Sequence, residues 1–344
     1  MLSIEDARGL WQPAGPYLNT ASFGLPPAPA WEALEQALAD WRHGRTSWED
    51  WCNATDRARE HFSALVGVPT ERVATGASVS YLIGLVASSI EPGARVLVPD
   101  VDFSSLTWPL LVHERLEVRS APLSQLADAI DADTDVVAFS AVQSSDGTVA
   151  DVGAVAAAAA AHEAFTVVDA THAIGWLPID ASPFDAVACA AYKWLMSPRG
   201  TAFLTLSERA LEQTTPLAAN WFAAEDRFGN YYEPQLQLAT DASRLDLSPA
   251  WFSWIGADPA LAVLRGIGIE AVHDHDLALA NRFRAGLGLE PGSSAIVSAD
   301  LPGAEERLLA AGIRAAVRGG ALRASFHVYN TEEDVDAALS ALLD

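Results

Sequence analysis

The stretch VVDATHAIGWLPIDASPFDAVACAAYKWLMSPRG, residues 167–200, contains two short apolar runs that each end in polar side chains. Short runs of apolar and β-branched residues are typical of buried strands. Asp169 and His172 follow the end of the first run, and Tyr192 and Lys193 follow the end of the second. Because ligands bind beyond the carboxyl ends of strands in an open parallel sheet, we expect these four side chains to meet at one site.

Similar apolar runs occur on both sides of this stretch. The predicted strands of this region are 95–99, 135–142, 165–170, 184–191 and 201–206. Helical patterns separate several of them, and the clearest is the alanine-rich segment 151–164. The alternation predicts an α/β fold with a mostly parallel central sheet flanked by helices.

The pattern changes after about residue 245, where a Trp-rich segment leads into helices. Short predicted strands and a closing helix from Thr331 follow, the strands at 294–300, 312–318 and 321–329. Helices segregated from a small antiparallel sheet indicate an α+β unit. We therefore expect a large α/β domain over 15–245 and a small α+β domain over 246–344, with residues 1–14 packed on either.

The composition restricts the class of partner. Of the 344 residues, 50% are hydrophobic and 19% are charged, so the chain is too apolar for a disordered protein. The 45 acidic and 21 basic residues give a formal net charge of −24. Such an acidic surface repels nucleic acids and anionic lipids, so we expect neither as a general partner.

The two cysteines, Cys52 and Cys189, are too few for a disulfide framework or a zinc cluster, and we expect no metal. The first residues lack the basic and apolar blocks of a signal peptide, and the longest apolar runs are too short to span a bilayer. We therefore expect a cytoplasmic protein without a membrane segment.

A further polar element lies upstream, where ATGASVS at 74–80 forms a glycine turn that opens a predicted helix. The backbone amides of such a turn suit a phosphate group. Each polar element alone is usually structural. Together, Asp169, His172 and Lys193 downstream of a phosphate-type turn point to pyridoxal phosphate, which needs a Schiff-base lysine, a carboxylate facing its pyridine nitrogen and a phosphate cup.

The sequence resembles the class-V aminotransferase family of fold-type I pyridoxal-phosphate enzymes, which includes cysteine desulfurases, kynureninases and isopenicillin-N-epimerase-like proteins. The resemblance runs from YLNTASFGLPP at 17–27 to HVYNTEEDVD at 327–336, and it is most specific over 167–200. It implies the fold-type I architecture and an amino-acid substrate. It also implies a homodimer with shared active sites.

The resemblance assigns roles to individual residues. Lys193 is implied to form the Schiff base, Asp169 to keep the pyridine nitrogen protonated, and His172 to lie near the phenolic oxygen of the cofactor. Further cofactor-binding residues are implied at the phosphate, on the ring and across the subunit boundary: Gly76, Ala77, Ser78 and Tyr192 at the phosphate, Phe103 and Gln143 at the ring, and Trp221 and Ser248 reaching the neighbouring subunit.

The substrate side of the site is implied by the C-terminal motif. Arg323 matches the arginine that clamps the substrate α-carboxylate, a role that suits a planar guanidinium, and Asn19 is the second substrate-binding candidate. In sulfur-mobilising desulfurases, an Arg-x-Gly turn precedes a mobile loop with the catalytic cysteine. Here VRGGALRAS at 317–325 runs almost directly from Arg318 to Arg323, so that loop and its cysteine are missing.

The resemblance leaves the reaction open. Amino transfer is favoured because it needs no additional nucleophile. The alternatives are Cβ–S lyase chemistry without a persulfide cysteine, kynureninase-like hydrolysis and epimerisation. A non-catalytic binding protein of the same fold is the alternative of another class, and the presence of Lys193, Asp169 and Arg323 argues against it.

Overall fold

The computed structural model describes residues 2–229, 231–232 and 234–343. The strands, numbered in chain order, are β1 Val73–Gly76, β2 Arg95–Pro99, β3 Glu117–Ala121, β4 Val136–Ser140, β5 Phe165–Asp169, β6 Ala186–Ala190, β7 Ala202–Leu206, β8 Ile296–Ala299, β9 Ala316–Arg318 and β10 Ala321–Ser325. The α-helices are α1 Ile4–Arg8, α2 Ala28–Arg42, α3 Trp48–Leu65, α4 Val79–Ser89, α5 Ser104–Leu111, α6 Val152–Ala161, α7 Glu208–Gln213, α8 Trp251–Ile267, α9 Ile269–Gly286, α10 Ala304–Ala310 and α11 Glu332–Leu343.

The first seven strands form one mixed sheet in the order β1-β7-β6-β5-β4-β2-β3. Strands β2 to β6 run parallel to their neighbours among themselves, whereas β7 lies antiparallel to both β6 and β1. The predicted α/β fold with a mostly parallel sheet is therefore confirmed. The single reversed strand is a feature that the sequence pattern did not predict.

Helices cover both faces of this sheet. Successive residues of a strand point to opposite faces, and accordingly Val137 and Phe139 of β4 belong to one core while Val136 and Ala138 belong to the other. Helices α3, α6 and α8 contribute to the first core, and α4 and α5 contribute to the second. Burial on both faces explains why these strands are continuous apolar runs rather than alternating ones.

Two strands escaped the sequence analysis. Strand β1 contains small residues, and its sequence predicts only a glycine turn, but it is fully buried and pairs with β7. Strand β3 is polar and largely exposed, as an edge strand tolerates. Both strands are defined by backbone hydrogen bonds to a neighbouring strand, and neither shows a pattern of apolar residues that would predict it.

The last three strands form a separate antiparallel sheet in the order β8-β10-β9, as predicted. Residues near the N-terminus also pair here, through bridges of Tyr17 with Arg314 and of Asn19 with Ser325. The division of the chain at about residue 245 stays a prediction. Among the described residues, no helix is both long and apolar enough to cross a membrane.

Candidate active site

The carboxyl ends of β5 and β6 and the turn after β1 enclose one cleft. Seven of the predicted site residues line it: Ala77, Ser78, Phe103, Asp169, His172, Tyr192 and Lys193. Six further residues that the sequence analysis did not select complete the lining: Val79, Ser80, Ser105, Thr171, Ala190 and Arg199. The strand ends therefore bring the two polar clusters of 167–200 together with the glycine turn.

Lys193 is the central group of the cleft. It is 5% exposed, and its Nζ lies 2.6 Å from His172 Nε2. Burial lowers the pKa of Lys193 to about 7, although the neighbouring Asp169 opposes this shift and Arg323 adds to it. A lysine with this pKa is partly the free amine at neutral pH, and the free amine is the form that acts as nucleophile or base.

The two residues at the end of β5 are buried beside this amine. Asp169 is held by the amide of Thr171, which donates to its Oδ1 at 2.9 Å, and burial raises the pKa of the Asp169 carboxyl. Burial also lowers the pKa of His172 well below its usual value, and the cations Lys193 and Arg323 lower it further. His172 is accordingly a neutral imidazole, and its carbonyl oxygen accepts from Trp176 Nε1 at 2.6 Å.

The other end of the cleft contains groups that can bind an anion. Ser78 caps α4 and accepts from the amide of Tyr81, and the first amides of this helix have no intrahelical acceptor. Arg199 lies across the cleft, with its guanidinium carbon 5.0 Å from the centre of the Tyr192 ring. A helix N-terminus and a cation together favour a bound phosphate.

Asp102 fixes the loop that carries Phe103. Its carboxylate accepts from the amides of Phe103 at 2.6 Å and Ser140 at 2.9 Å. It also accepts from Gln143 Nε2 at 3.2 Å, which accounts for the buried position of that predicted site residue. The Phe103 ring centre lies 5.9 Å from Lys193 Nζ, so the ring borders the reactive amine.

Arg323 is buried in β10, on the small sheet. It is 2% exposed, donates to Ser22 Oγ at 3.0 Å and to the carbonyl oxygen of Ser144, and its Nε has no partner among the described residues. Asn19, the other substrate-side candidate, has a buried Oδ1 without a partner in the part of the chain that the structure describes. A buried guanidinium without a contacting carboxylate is suited to an anionic ligand.

Besides Gln143, Asn19 and Arg323, three predicted residues do not line the cleft of their own chain. Gly76 ends β1 behind the phosphate-type turn. Trp221 packs in an aromatic cluster, with its ring centre 5.6 Å from that of Trp48 and 6.2 Å from that of Tyr231. Ser248 is exposed on the segment before α8. The roles of Trp221 and Ser248 across a subunit boundary stay predictions.

Three residues with roles in this site were missed by the sequence analysis. Arg199 follows Lys193 closely in the SPRG turn, and that proximity was an available signal. Asp102 precedes Phe103 directly and resembles an ordinary loop aspartate. Ser22 had no signal, because only the tertiary fold brings it to Arg323.

A comparison with known families now adds to this geometry. The model of the aminotransferase class-V family matches residues 42–303. The chain belongs to this family. The resemblance noted in the sequence is thereby confirmed, and this class-V chain is an enzyme that uses pyridoxal phosphate.

Relatives of this class-V chain carry different names. An uncharacterized aminotransferase of Bacillus subtilis is 27% identical and covers 90% of each chain. An isopenicillin N epimerase of Streptomyces clavuligerus is 28% identical over 98% of this chain and 97% of its own. A solved structure of the cystine C-S lyase C-DES superposes with a TM-score of 0.87 at 19% identity, over 98% of this chain and 99% of that one. The fold is therefore shared over the full described length, and the relatives differ in reaction.

The residues of the cleft fit pyridoxal phosphate. A buried lysine amine, a buried carboxylate, an aromatic ring and a helix N-terminus beside Arg199 supply the four kinds of group that the cofactor requires. Arg199 also provides a cation on the phosphate side, where Ala190 supplies no hydroxyl. The unpartnered Nε of Arg323 leaves a donor for a substrate carboxylate.

Proposed function

We propose that this class-V enzyme catalyses amino transfer on an α-amino acid. The observation that carries the proposal is the buried Lys193 amine, 2.6 Å from His172 Nε2 and with a pKa of about 7. A base of this strength at neutral pH is suited to removing the proton from a substrate Cα and returning it elsewhere. Arg323 supplies the matching site for the α-carboxylate.

The roles of the chain's own groups follow from their surroundings. Lys193 would hold the cofactor and then carry the Cα proton, while neutral His172 orients the Nζ atom. Asp169 would hold a proton at the ring nitrogen, and Phe103 would limit the tilt of the ring. When bound, pyridoxal phosphate withdraws electrons from the substrate Cα and so makes that proton acidic.

Two observations bear on persulfide chemistry and on epimerisation. Both cysteines are fully buried, and burial raises the pKa of each thiol, so neither suits the persulfide chemistry of a desulfurase. The His172 imidazole contacts the Lys193 amine, so these two groups adjoin each other. Among the described cleft residues, this arrangement offers one base position, whereas a two-base epimerisation needs a second one opposite.

The products distinguish the candidate reactions. We expect the holoenzyme, given an amino acid and a 2-oxo acid acceptor, to move a ¹⁵N-labelled amino group to the acceptor without releasing ammonia. Lys193→Ala should abolish the transfer, with a loss of at least about 10²-fold. Pyruvate and ammonia from a cysteine conjugate would instead identify a lyase, and anthranilate from kynurenine a hydrolase. Appearance of the D-enantiomer would identify an epimerase.

We also propose that the active enzyme is a homodimer in which Trp221 and Ser248 act on the partner's cofactor. Both residues lie outside the cleft of their own chain, and α5 beside the cleft exposes Trp108 at 69% and Leu111 at 53%. Exposed apolar patches of this kind often mark subunit interfaces. Mixing the inactive variants Lys193→Ala and Trp221→Ala should restore part of the activity, and a monomer in sedimentation would contradict the proposal.

A further inference from the structure

Two arginines converge on one hydroxyl at the substrate side of the cleft. Arg318 ends β9 and Arg323 lies in β10, with only two glycines and Ala321 to Leu322 between them along the hairpin. Arg318 Nη2 donates to Ser22 Oγ at 3.3 Å, and Arg323 Nη2 donates to the same oxygen at 3.0 Å. The short hairpin therefore brings a second guanidinium to the place where Arg323 is proposed to bind the substrate α-carboxylate.

The charge of this pair is not balanced within the described part of the chain. No described carboxylate forms an ion pair with Arg318 or Arg323, although the sequence has 45 acidic residues against 21 basic ones. Burial and the neighbouring Arg318 lower the pKa of Arg323 to about 10. Two like charges at close range repel each other, so a dianion would relieve more of this repulsion than a monoanion.

The pair lies next to the reactive amine. His172, in contact with Lys193 Nζ, also interacts with the backbone of Ala21, and Ser22 is the next residue. The charge of Arg318 contributes to lowering the pKa of Lys193. A substrate that places its Cα near Lys193 and its α-carboxylate on Arg323 thus also has the positive charge of Arg318 close to it.

We propose that Arg318 binds a second acidic group on the substrate side chain, so that the substrates are α-amino acids with a side-chain carboxylate or a comparable anion. This deepens the proposed function and rests on its placement of the α-carboxylate on buried Arg323. Arg318 is exposed at the rim of the site, where it can meet a side chain that extends away from Cα. Ser22 Oγ accepts from both guanidiniums and so holds them close to each other.

The test measures binding without reaction. Calorimetry on the holoenzyme gives dissociation constants for succinate and glutarate, and for their monoamides succinamate and glutaramate, none of which has an amino group to transfer. We expect each dicarboxylate to bind more tightly than its monoamide. Arg318→Gln should weaken dicarboxylate binding by about 10-fold, the low end of the range for a hydrogen bond to a charged group because Arg318 is exposed, and change monoamide binding by less than about threefold.

Two matched variants complete the design. Arg314→Gln removes an exposed arginine just before β9. Among the described contacts, Arg314 does not touch Ser22, so this variant should leave the dissociation constants of all four ligands unchanged. Arg323→Gln should weaken dicarboxylates and monoamides alike. The dicarboxylate preference should also decrease at high salt, because Arg318 is exposed.

Specific outcomes would overturn the proposal. Equal losses for dicarboxylate and monoamide in Arg318→Gln would mean that both arginines hold a single carboxylate. The absence of any preference in the wild type would also contradict it. If the preference is present but labelled amino transfer is not, the substrate class stands and the proposed reaction fails, so the two failures are distinguishable.

Discussion

Gly24 lies directly against the backbone of Lys193. The Gly24 amide donates to the carbonyl oxygen of Tyr192 at 2.8 Å, and a Cβ atom on Gly24 would come 2.0 Å from the carbonyl oxygen of Lys193. That oxygen is part of the main chain and cannot rotate away as a flexible side chain can. The N-terminal segment therefore fixes the position of the reactive lysine from outside the sheet.

We predict that Gly24→Ala displaces the Lys193 turn. The overpacking should destabilise the protein by about 1–3 kcal/mol, and cofactor affinity should fall with it. Urea unfolding and a pyridoxal-phosphate titration measure the two effects. Gly266→Ala is the control, since a Cβ there meets nothing within 4 Å, and it should not reduce either quantity. Unchanged cofactor affinity in Gly24→Ala would show that the turn adjusts freely.

The stability of the cofactor-free enzyme should depend on Lys193 and pH. The pKa of Lys193 is about 7 in the folded state against 10.5 as its ordinary value, so the unfolded chain binds more protons between these pH values. Stability from this group therefore rises as pH increases from 7 to 10.5. We predict that apo Lys193→Met exceeds the wild type in stability at pH 6 and that its advantage shrinks by pH 10. A constant difference across this range in urea unfolding would contradict the prediction.

A buried ion pair supports the strand behind the phosphate-type turn. Asp246 Oδ1 accepts from Arg59 Nη1 at 3.2 Å and from the Thr75 amide at 2.7 Å. Arg59 is 4% exposed and Asp246 is 1% exposed. We predict that Asp246→Asn costs about 3–5 kcal/mol, because it leaves the buried Arg59 cation with only the more distant and partly exposed carboxylate of Asp56, at 3.5 Å. Asp336→Asn breaks an exposed pair with Arg282 and should cost at most about 1 kcal/mol in the same urea experiment. Similar costs for both variants would refute this account.

Asp102 should act on the cofactor through the loop that it holds. Asp102→Asn places an amide opposite the Phe103 and Ser140 donors and loses charge-assisted hydrogen bonds, so we predict a fall in pyridoxal-phosphate affinity of about 10-fold or more. The charge of Asp102 also raises the pKa of Asp169, so its removal should shift the acid limb of cofactor binding to lower pH. Asp100→Asn, two residues earlier in the same loop, is the control. Wild-type affinity and pH profile in Asp102→Asn would contradict the positioning role.

Much of the fold was predictable because its signals are local. Strands β4 to β7 are continuous apolar runs, and their ends carry the residues that meet in the cleft. The order of the strands and the reversal of β7 depend on contacts between distant segments, which no local pattern encodes. Strand β3 was missed because an exposed edge needs no apolar residues.

The candidate site also contains residues that the sequence predicts and residues that only the tertiary structure brings to it. Lys193, Asp169 and His172 belong to one contiguous stretch, so their chemistry was visible together. Ser22 and Asp102 act through tertiary contacts that no local sequence pattern predicts. In the sequence, Arg318 marks only a shortened loop, and its convergence with Arg323 depends on the pairing of β9 with β10.

The contact of Ser22 with Arg323 joins residues 301 positions apart in the chain. A ribosome that has made the whole of the large sheet has still not made Arg323, the arginine proposed to bind the substrate carboxylate. During synthesis, the lysine is therefore present long before the site that would select its substrate. Substrate chemistry on the nascent chain has to wait until the hairpin of β9 and β10 emerges and closes on the N-terminal segment.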